Sequence, residues 1–306
     1  MILDPIIDKA FKSSFPLRHD GEPNMPYYDP DDFGVKSIPF SFISGKNKLV
    51  GGKYFIDGPA KGVVVFHHGA FAGRRAYGDL ISRFAKQGYI VYAYDNTGCC
   101  QSEGRDCVGI AQPLLDQKAF FEFLEKDESI RGLPRYTAGH SWGGYTALGG
   151  LKEEYHVDKV VCISGFNSVF DMAMSTLPKN KLLAMAVKGY LKRKFGPLGL
   201  YDGLEEMKKT NKEVLVLFGD LDKMVDYNHY FLRYQKECAE NAHVHFLCAD
   251  GRGHQAFWDK KSQVYYEEFQ NKMREAYRNS SPLPVFDYSK TDFDKDILQS
   301  IFDFLG

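Results

Sequence analysis

Six short apolar segments, separated by longer amphipathic ones, constrain the fold of this chain more than any other feature. Each is a near-continuous run of β-branched and aromatic residues, which is typical of strands that are covered on both faces of a parallel sheet. The segments are GVVVFHH (62–68), YIVYAYD (89–95), RYTAGH (135–140), KVVCIS (159–164), EVLVLFG (213–219) and HVHFLC (243–248). The helical patterns between or after them cover 74–87, 108–126, 141–154, 227–241 and 262–278. This alternation predicts a doubly wound α/β fold with a mostly parallel sheet.

Two further regions flank the alternating part. Alternating apolar runs at 35–44 and 48–57, joined by a Gly-Lys-Asn turn, predict an antiparallel hairpin that leads into the sheet. Near the other end, Phe293, Ile297, Ile301 and Phe304 or Leu305 fall on one helical face. We expect this helix, capped by Thr291 or Asp292, to dock on the body of the protein. Binding of a partner by this helix is the alternative.

One long interval, from 166 to 212, contains no strand pattern. It is rich in helix-forming residues and methionine, and it carries a basic cluster at 192–194. Two interpretations fit this composition. The interval is either a small helical cap inserted between two strands, or one long connecting helix with a solvated basic face.

Composition and charge exclude several classes of protein. The chain has 306 residues, a formal net charge of −1 and 44% hydrophobic residues, which is ordinary for a soluble globular protein. Near-neutral charge gives no support for nucleic acid or an anionic membrane as the main partner. No apolar run approaches the length of a membrane span, and the N-terminus does not resemble a secretory signal. Six scattered cysteines fit neither a disulfide framework nor a zinc site, so a cytoplasmic location and no metal are expected.

Ser141 lies at the centre of a G-x-S-x-G pattern, directly after one predicted strand and at the start of a predicted helix. A sharp strand-to-helix turn exposes such a hydroxyl, and the N–H groups of the new helix point toward it. The backbones of strand and helix approach each other at Gly139 and Gly143, where only small residues fit. This context predicts that Ser141 is a nucleophile rather than a helix-capping serine.

A nucleophilic serine needs a histidine base and a carboxylate that orients the histidine. In a strand-turn-helix setting the chain order is serine, acid, histidine. Asp222, in the turn after EVLVLFG, is the predicted acid, whereas Asp220 is expected to accept hydrogen bonds from N–H groups of the turn. His254, in a glycine-rich loop after HVHFLC, is the predicted base. We expect His243 and His245 to be packing or rim residues.

Catalysis at a serine also needs two donors for the oxyanion. The predicted donors are the backbone N–H groups of Trp142 and of Ala70, with Phe71 as the second choice for the latter. Metal binding by the neighbouring His67 and His68 is a rival interpretation. It is disfavoured because adjacent residues of a strand point to opposite faces.

Four motifs, HHGA, GHSWGG, FGDLDKMV and GRGH, occur in an order that resembles the α/β-hydrolase superfamily. The loop YDNTGCCQSEG (94–104) resembles that of its monoacylglycerol-lipase-like and serine-aminopeptidase-like branch, although Cys100 replaces a usual glycine. The resemblance covers about 61–258. It implies a core of 1–165 and 213–306, with 166–212 as the cap that shapes the substrate pocket.

The expected function is hydrolysis of a carboxylic ester of small or medium acyl chain, through an acyl-enzyme on Ser141 and without a cofactor. Phe71, Phe166 and Trp258 are predicted to line an apolar pocket. The partner is a small-molecule ester or peptide-like substrate, and the sequence does not determine the oligomeric state. An aminopeptidase, amidase or thioesterase using the same triad is the alternative. A non-catalytic interaction protein is a more distant one.

Overall fold

The computed structural model describes residues 3–14, 18–21, 24–25, 27–177 and 180–306. Its strands are β1 (Lys36–Ser44), β2 (Asn47–Phe55), β3 (Gly62–His67), β4 (Tyr89–Tyr94), β5 (Arg135–His140), β6 (Lys159–Ile163), β7 (Glu213–Gly219) and β8 (Val244–Ala249). They form one sheet in the order β1-β2-β4-β3-β5-β6-β7-β8. The hairpin β1–β2 is antiparallel, as predicted, and β2 joins β4 antiparallel. From β4 to β8 neighbouring strands are parallel, so their carboxyl ends meet at one edge.

Helices lie on both faces of this sheet. They are α1 (Asp4–Ser14), α2 (Gly78–Lys86), α3 (Gln112–Leu124), α4 (Trp142–Leu148), α5 (Val169–Thr176), α6 (Lys181–Phe195), α7 (Gly203–Met207), α8 (Arg233–Glu237), α9 (Lys260–Asn279) and α10 (Lys295–Leu305). None of those that the structure describes is long and apolar enough to cross a membrane.

The apolar strands supply two hydrophobic cores at once. In β3, Val63 and Val65 pack with α3, α4 and α6, whereas Val64 and Phe66 pack with α2, α9 and α10. Every residue of β3 is buried. Burial on both faces explains why these strands read as continuous rather than alternating runs, and it confirms the predicted doubly wound fold.

The ends of the chain differ in part from the predictions. Helix α1 was not predicted, although Ile7 is buried in the core on its side of the sheet. Helix α10 docks through the predicted face, with Ile301 fully buried. The N-terminal cap of α10 is Asp294, whose carboxylate accepts hydrogen bonds from the backbone N–H groups of Asp296 and Ile297. The predicted caps Thr291 and Asp292 are therefore wrong.

The described part of the interval 166–212 contains α5, α6 and α7. Three helices replace the single long helix of one interpretation, which is therefore wrong. Helix α6 packs against α1, where the rings of Phe11 and Tyr190 stack at 5.7 Å and Lys194 contacts Asp8 at 2.6 Å. The basic cluster at 192–194 thus partly pairs with the acids of α1 instead of being only a solvated face.

Candidate active site

Ser141 forms the turn between β5 and α4. Its backbone has φ 60° and ψ −119°, a conformation that costs free energy in a residue with a side chain and that clusters at functional sites. The Ser141 N–H donates to the carbonyl of Ile163 at 2.8 Å, and the Ser141 carbonyl accepts from the N–H of Tyr145 at 3.1 Å. These two bonds, one to a neighbouring strand and one within the new helix, hold the turn.

Two glycines make this turn sterically possible. A Cβ atom at Gly143 would lie 2.0 Å from the carbonyl oxygen of His67, and one at Gly139 would lie 2.2 Å from that of Gly143. Both contacts are with backbone atoms, which cannot move aside as a flexible side chain can. The glycines of the G-x-S-x-G pattern are therefore required by the close approach of β3, β5 and α4.

His254 and Asp222 form a buried hydrogen-bonded pair. Nδ1 of His254 lies 2.8 Å from Oδ2 of Asp222, and the other carboxylate oxygen accepts from the N–H groups of Met224 and Val225 at 2.9 and 3.0 Å. A carboxylate can only accept, so the proton lies on Nδ1 of His254. Nε2 is then the basic nitrogen, as a general base for a serine requires.

The loops that carry these two residues are joined by backbone hydrogen bonds. Oδ1 of Asp220 accepts from the N–H of Gly251 at 2.7 Å, and the N–H of Leu221 donates to the carbonyl of Arg252 at 2.8 Å. The Arg252 guanidinium donates in turn to the carbonyl of Trp258 at 2.8 Å and pairs with Asp294. Sequence reasoning did not identify Arg252 or Asp294, because no local motif marks a residue that connects distant loops.

Ser141 and His254 line one cavity. Within the described residues, the Oγ of Ser141 makes no hydrogen bond with His254. Catalytic hydrogen bonds are often long or poorly aligned without substrate and tighten in the substrate complex.

The predicted oxyanion donors lie beside the serine. A Cβ atom at Gly69 would lie 3.5 Å from Cβ of Ser141, so the loop after β3 passes directly by Ser141. Ala70 follows in that loop and lines the cavity, and Trp142 is the first residue of α4. The Trp142 indole is buried and donates to the carbonyl of Ile110 at 2.7 Å. The role of both N–H groups as donors remains a prediction.

The cavity has a volume of about 1,090 Å³ and a largely aromatic wall. Phe71 and Trp258 line it, as expected. Three regions supply most of the remaining wall: the described residues of the segment 24–33, the region 69–80, and α9. The lining residues from α9 include Tyr266, Phe269 and Met273.

Phe166 does not line this cavity. It is buried and stacks on Tyr145, with ring centroids 4.7 Å apart. No other described residue of 166–212 lines the cavity either. The interval packs elsewhere, where Asp171 of α5 pairs with Arg233 of α8 at 3.0 Å. Neither Phe166 nor the described part of the interval contributes to this cavity, and their expected place in the substrate pocket stays a prediction.

Four further histidines, His67, His68, His243 and His245, have partners outside the proposed triad. Nε2 of His67 lies 3.1 Å from the Gln117 amide, and Nε2 of His68 accepts from the N–H of Asn96 at 3.0 Å. Burial lowers the pKa of both, that of His67 to about 3. His243 and His245 both contact Glu213, each at 2.6 Å.

The sheet order and the strand-turn-helix serine define the α/β-hydrolase fold. The sequence model of the serine aminopeptidase family S33 matches residues 58–200. No curated protein matched the chain. The chain has the α/β-hydrolase fold, and its similarity to the S33 family covers just under half of its length.

Several solved structures share this fold at low sequence identity. The esterase Pf2001 of Pyrococcus furiosus is 20% identical with a TM-score of 0.58, over 85% of this chain and 98% of that one. Est1E of Butyrivibrio proteoclasticus is 16% identical with a TM-score of 0.56, over 78% and 99%. An acylaminoacyl peptidase of Pyrococcus horikoshii is 14% identical with a TM-score of 0.54, over 80% of this chain and 42% of that one. The family match and the fold together support a hydrolase of the α/β class.

Proposed function

We propose that the protein is a serine hydrolase that cleaves carboxylic esters carrying an apolar group. One observation carries the proposal: a serine in a strained strand-to-helix turn and a histidine paired with a buried carboxylate open onto the same aromatic cavity. Serine, acid and histidine each follow a different strand of the sheet, at the edge where α/β proteins bind ligands.

The proposed reaction has two halves. Oγ of Ser141 attacks the ester carbonyl while Nε2 of His254 takes its proton, and the N–H groups of Ala70 and Trp142 stabilise the oxyanion. The C–O bond to the alcohol then breaks, and His254 gives the proton to the departing oxygen. A water molecule, deprotonated by His254, attacks the acyl-enzyme and releases the acid and free Ser141. Asp222 keeps the proton of His254 on Nδ1 throughout.

The cavity favours a medium-sized or bulkier apolar substrate over a short-chain one. Pockets of about 300–1,000 Å³ hold drug-sized ligands, and this cavity is slightly larger than that range. Aromatic and aliphatic side chains together outnumber the polar ones in its lining, so an acyl chain or aryl group gains more from burial there than a charged group does.

An aminopeptidase reaction needs a carboxylate to hold the substrate amine. Glu205 and Glu206, the residues considered from sequence, pair with the two lysines that directly follow α7 and do not line the cavity. Asp79 lines it but pairs with Arg83 at 3.1 Å. Asp32 also lines it and accepts from the N–H of Asp29 at 2.9 Å. Because these carboxylates already have partners, the ester function is the better supported one.

The test is a panel of p-nitrophenyl esters with graded acyl chains, assayed beside aminoacyl-anilides and thioesters of the same acyl groups. We expect the highest kcat/KM for an ester of medium chain length, and no measurable turnover by Ser141→Ala. Faster cleavage of aminoacyl-anilides than of any ester would replace the ester function by the aminopeptidase one. No turnover of any of these substrates would count against the proposal as a whole.

A further inference from the structure

A continuous chain of hydrogen bonds passes behind Ser141 and connects two loops of the site. The N–H of Gly69 lies 3.1 Å from the hydroxyl oxygen of Tyr77, and that oxygen lies 2.8 Å from Nδ1 of His140. Nε2 of His140 lies 2.8 Å from the carbonyl oxygen of His254. Gly69 precedes the predicted oxyanion donor, and His254 is the proposed base.

The chemistry of the groups fixes the direction of each bond. The carbonyl of His254 can only accept, so Nε2 of His140 carries the proton. A neutral imidazole then has a lone pair on Nδ1, which accepts the hydroxyl proton of Tyr77. The Tyr77 oxygen is left to accept the N–H of Gly69. Each donor in this series of three hydrogen bonds has one acceptor. No other tautomer of a neutral His140 satisfies all three bonds.

His140 is held in this orientation by its surroundings. It is 4% exposed, its ring centroid lies 4.6 Å from that of His254, and the edge of the Phe257 ring packs against it at 5.1 Å. Burial holds the pKa of His140 well below its usual range, which keeps the ring neutral. At Gly69 a side chain is excluded, because a Cβ atom would lie 2.5 Å from the Tyr77 hydroxyl.

We propose that Tyr77 and His140 are positioning residues that hold the backbone of Gly69 and of His254 at a fixed spacing around Ser141. The oxyanion donor and the base come from loops about 180 residues apart, yet both must meet one substrate carbonyl. A displacement of about 1 Å in such groups can lower a rate by about 100-fold. This inference rests on the proposed serine-hydrolase function.

The first test removes only the Tyr77 hydroxyl. Tyr77→Phe leaves Gly69 without an acceptor and Nδ1 of His140 without a donor. We expect kcat on the best p-nitrophenyl ester to fall about 10- to 100-fold while KM changes less than about threefold. Tyr89→Phe is the matched control, because the Tyr89 hydroxyl also bonds a backbone group, the carbonyl of Gly306 at 2.8 Å, at a place remote from the site. It should keep the wild-type kcat.

A second pair of variants separates hydrogen bonding from packing at His140. In His140→Gln the side-chain amide can still donate to the carbonyl of His254, whereas in His140→Leu no donor remains. We expect His140→Gln to retain at least about tenfold more kcat than His140→Leu. Equal losses in the two variants would mean that His140 acts only through packing, and this would overturn the proposal.

A measurement that needs no turnover distinguishes failure of this inference from failure of the proposed function. The proton shared by His254 and Asp222 gives a low-field ¹H resonance, which we expect to shift or broaden in folded Tyr77→Phe and to stay unchanged in Tyr89→Phe. An unchanged resonance and an unchanged kcat in folded Tyr77→Phe would refute the positioning role. If the wild type hydrolyses no ester, the proposed function fails while the resonance still reports on the positioning. If Tyr77→Phe does not fold, the two His140 variants decide.

Discussion

Asp220 and Asp222 occupy the same turn after β7, but the structure gives them different partners. Asp222 bonds His254 and has a fully buried carboxylate, whereas the Asp220 carboxylate bonds the backbone N–H of Gly251. An asparagine at either position keeps a carbonyl oxygen that can accept a hydrogen bond. Only at Asp222 is the negative charge needed, because it stabilises the imidazolium that forms as the serine loses its proton.

We therefore expect Asp222→Asn to lower kcat by about 10⁴-fold, as the loss of the correct tautomer does in other triads. Asp220→Asn should lower it by less than about tenfold. Steady-state kinetics on one p-nitrophenyl ester, with active sites counted by titration, measures both. If Asp220→Asn proves to be the crippling change, the assignment of the acid is wrong.

The residues of the proposed triad could be predicted from sequence because each follows a recognisable strand within a local motif. Ser141, Asp222 and His254 stand in GHSWGG, FGDLDKMV and GRGH. Tyr77 and His140 could not be assigned a role in this way. Their bonds join residues more than 60 positions apart, and no local pattern predicts which side chains meet at that distance.

At the scale of elements, the strands were the most predictable part. Each apolar run became a strand within a residue or two, because burial on both faces leaves the same signal in β3 to β7. Helices were less predictable where a local break intervened. The predicted helix 141–154 ends as α4 at Leu148, directly before Gly149 and Gly150. Helix α1 was missed, since its contact with α6 is what buries its apolar side chains.

Phe71 and Trp258 apart, the wall of the cavity could not be predicted, because it depends on how elements distant in sequence pack. Helix α9, the region 69–80 and the described residues of the segment 24–33 supply much of it, whereas the family resemblance pointed to the interval 166–212. In α9, Met273 is 9% exposed and lines the cavity, whereas Met185 of α6 is 70% exposed and does not. Identical substitutions at these two methionines can therefore show which element sets substrate preference.

We expect Met273→Trp to reduce kcat/KM for long-chain esters more than for short-chain ones. Each methylene that no longer fits costs about 1–3 kcal/mol of transition-state binding, which lowers kcat/KM by a factor of about 10 to 200. Met185→Trp should leave the ratio of long- to short-chain turnover unchanged. A change of that ratio in Met185→Trp but not in Met273→Trp would restore the interval 166–212 as the element that shapes the pocket.

At the scale of the whole molecule, three histidines are buried in neutral form at the carboxyl edge of the sheet. Burial lowers the pKa of His67 to about 3 and that of His68 and His140 below the usual 6.5. Below pH 6.5 the unfolded chain therefore binds more protons than the folded one. The stabilisation that comes from keeping these histidines neutral is fully present above pH 6.5. It is lost as the pH falls toward their folded-state pKa values.

Below pH 6.5 the free energy of unfolding should fall by about 1.4 kcal/mol per pH unit for each histidine that stays neutral in the folded state. If all three stay neutral, the fall is about 4 kcal/mol per unit. Urea unfolding between pH 5 and pH 7.5 measures it, in a range above the titration of most carboxylates. His67→Gln should reduce the slope by about one third, whatever its effect on stability at pH 7.5. A free energy of unfolding that does not change with pH over this range would show that the histidines are not buried as described.

The central claim is that Ser141 is the nucleophile of a serine hydrolase, and covalent labelling tests it most directly. A fluorophosphonate probe reacts with a serine only when a base activates it and an oxyanion site receives the new charge. We expect one label per chain, found on Ser141 by peptide mass spectrometry, and none in folded Ser141→Ala. Labelling that persists in Ser141→Ala, or a wild-type protein that the probe never modifies, would contradict it.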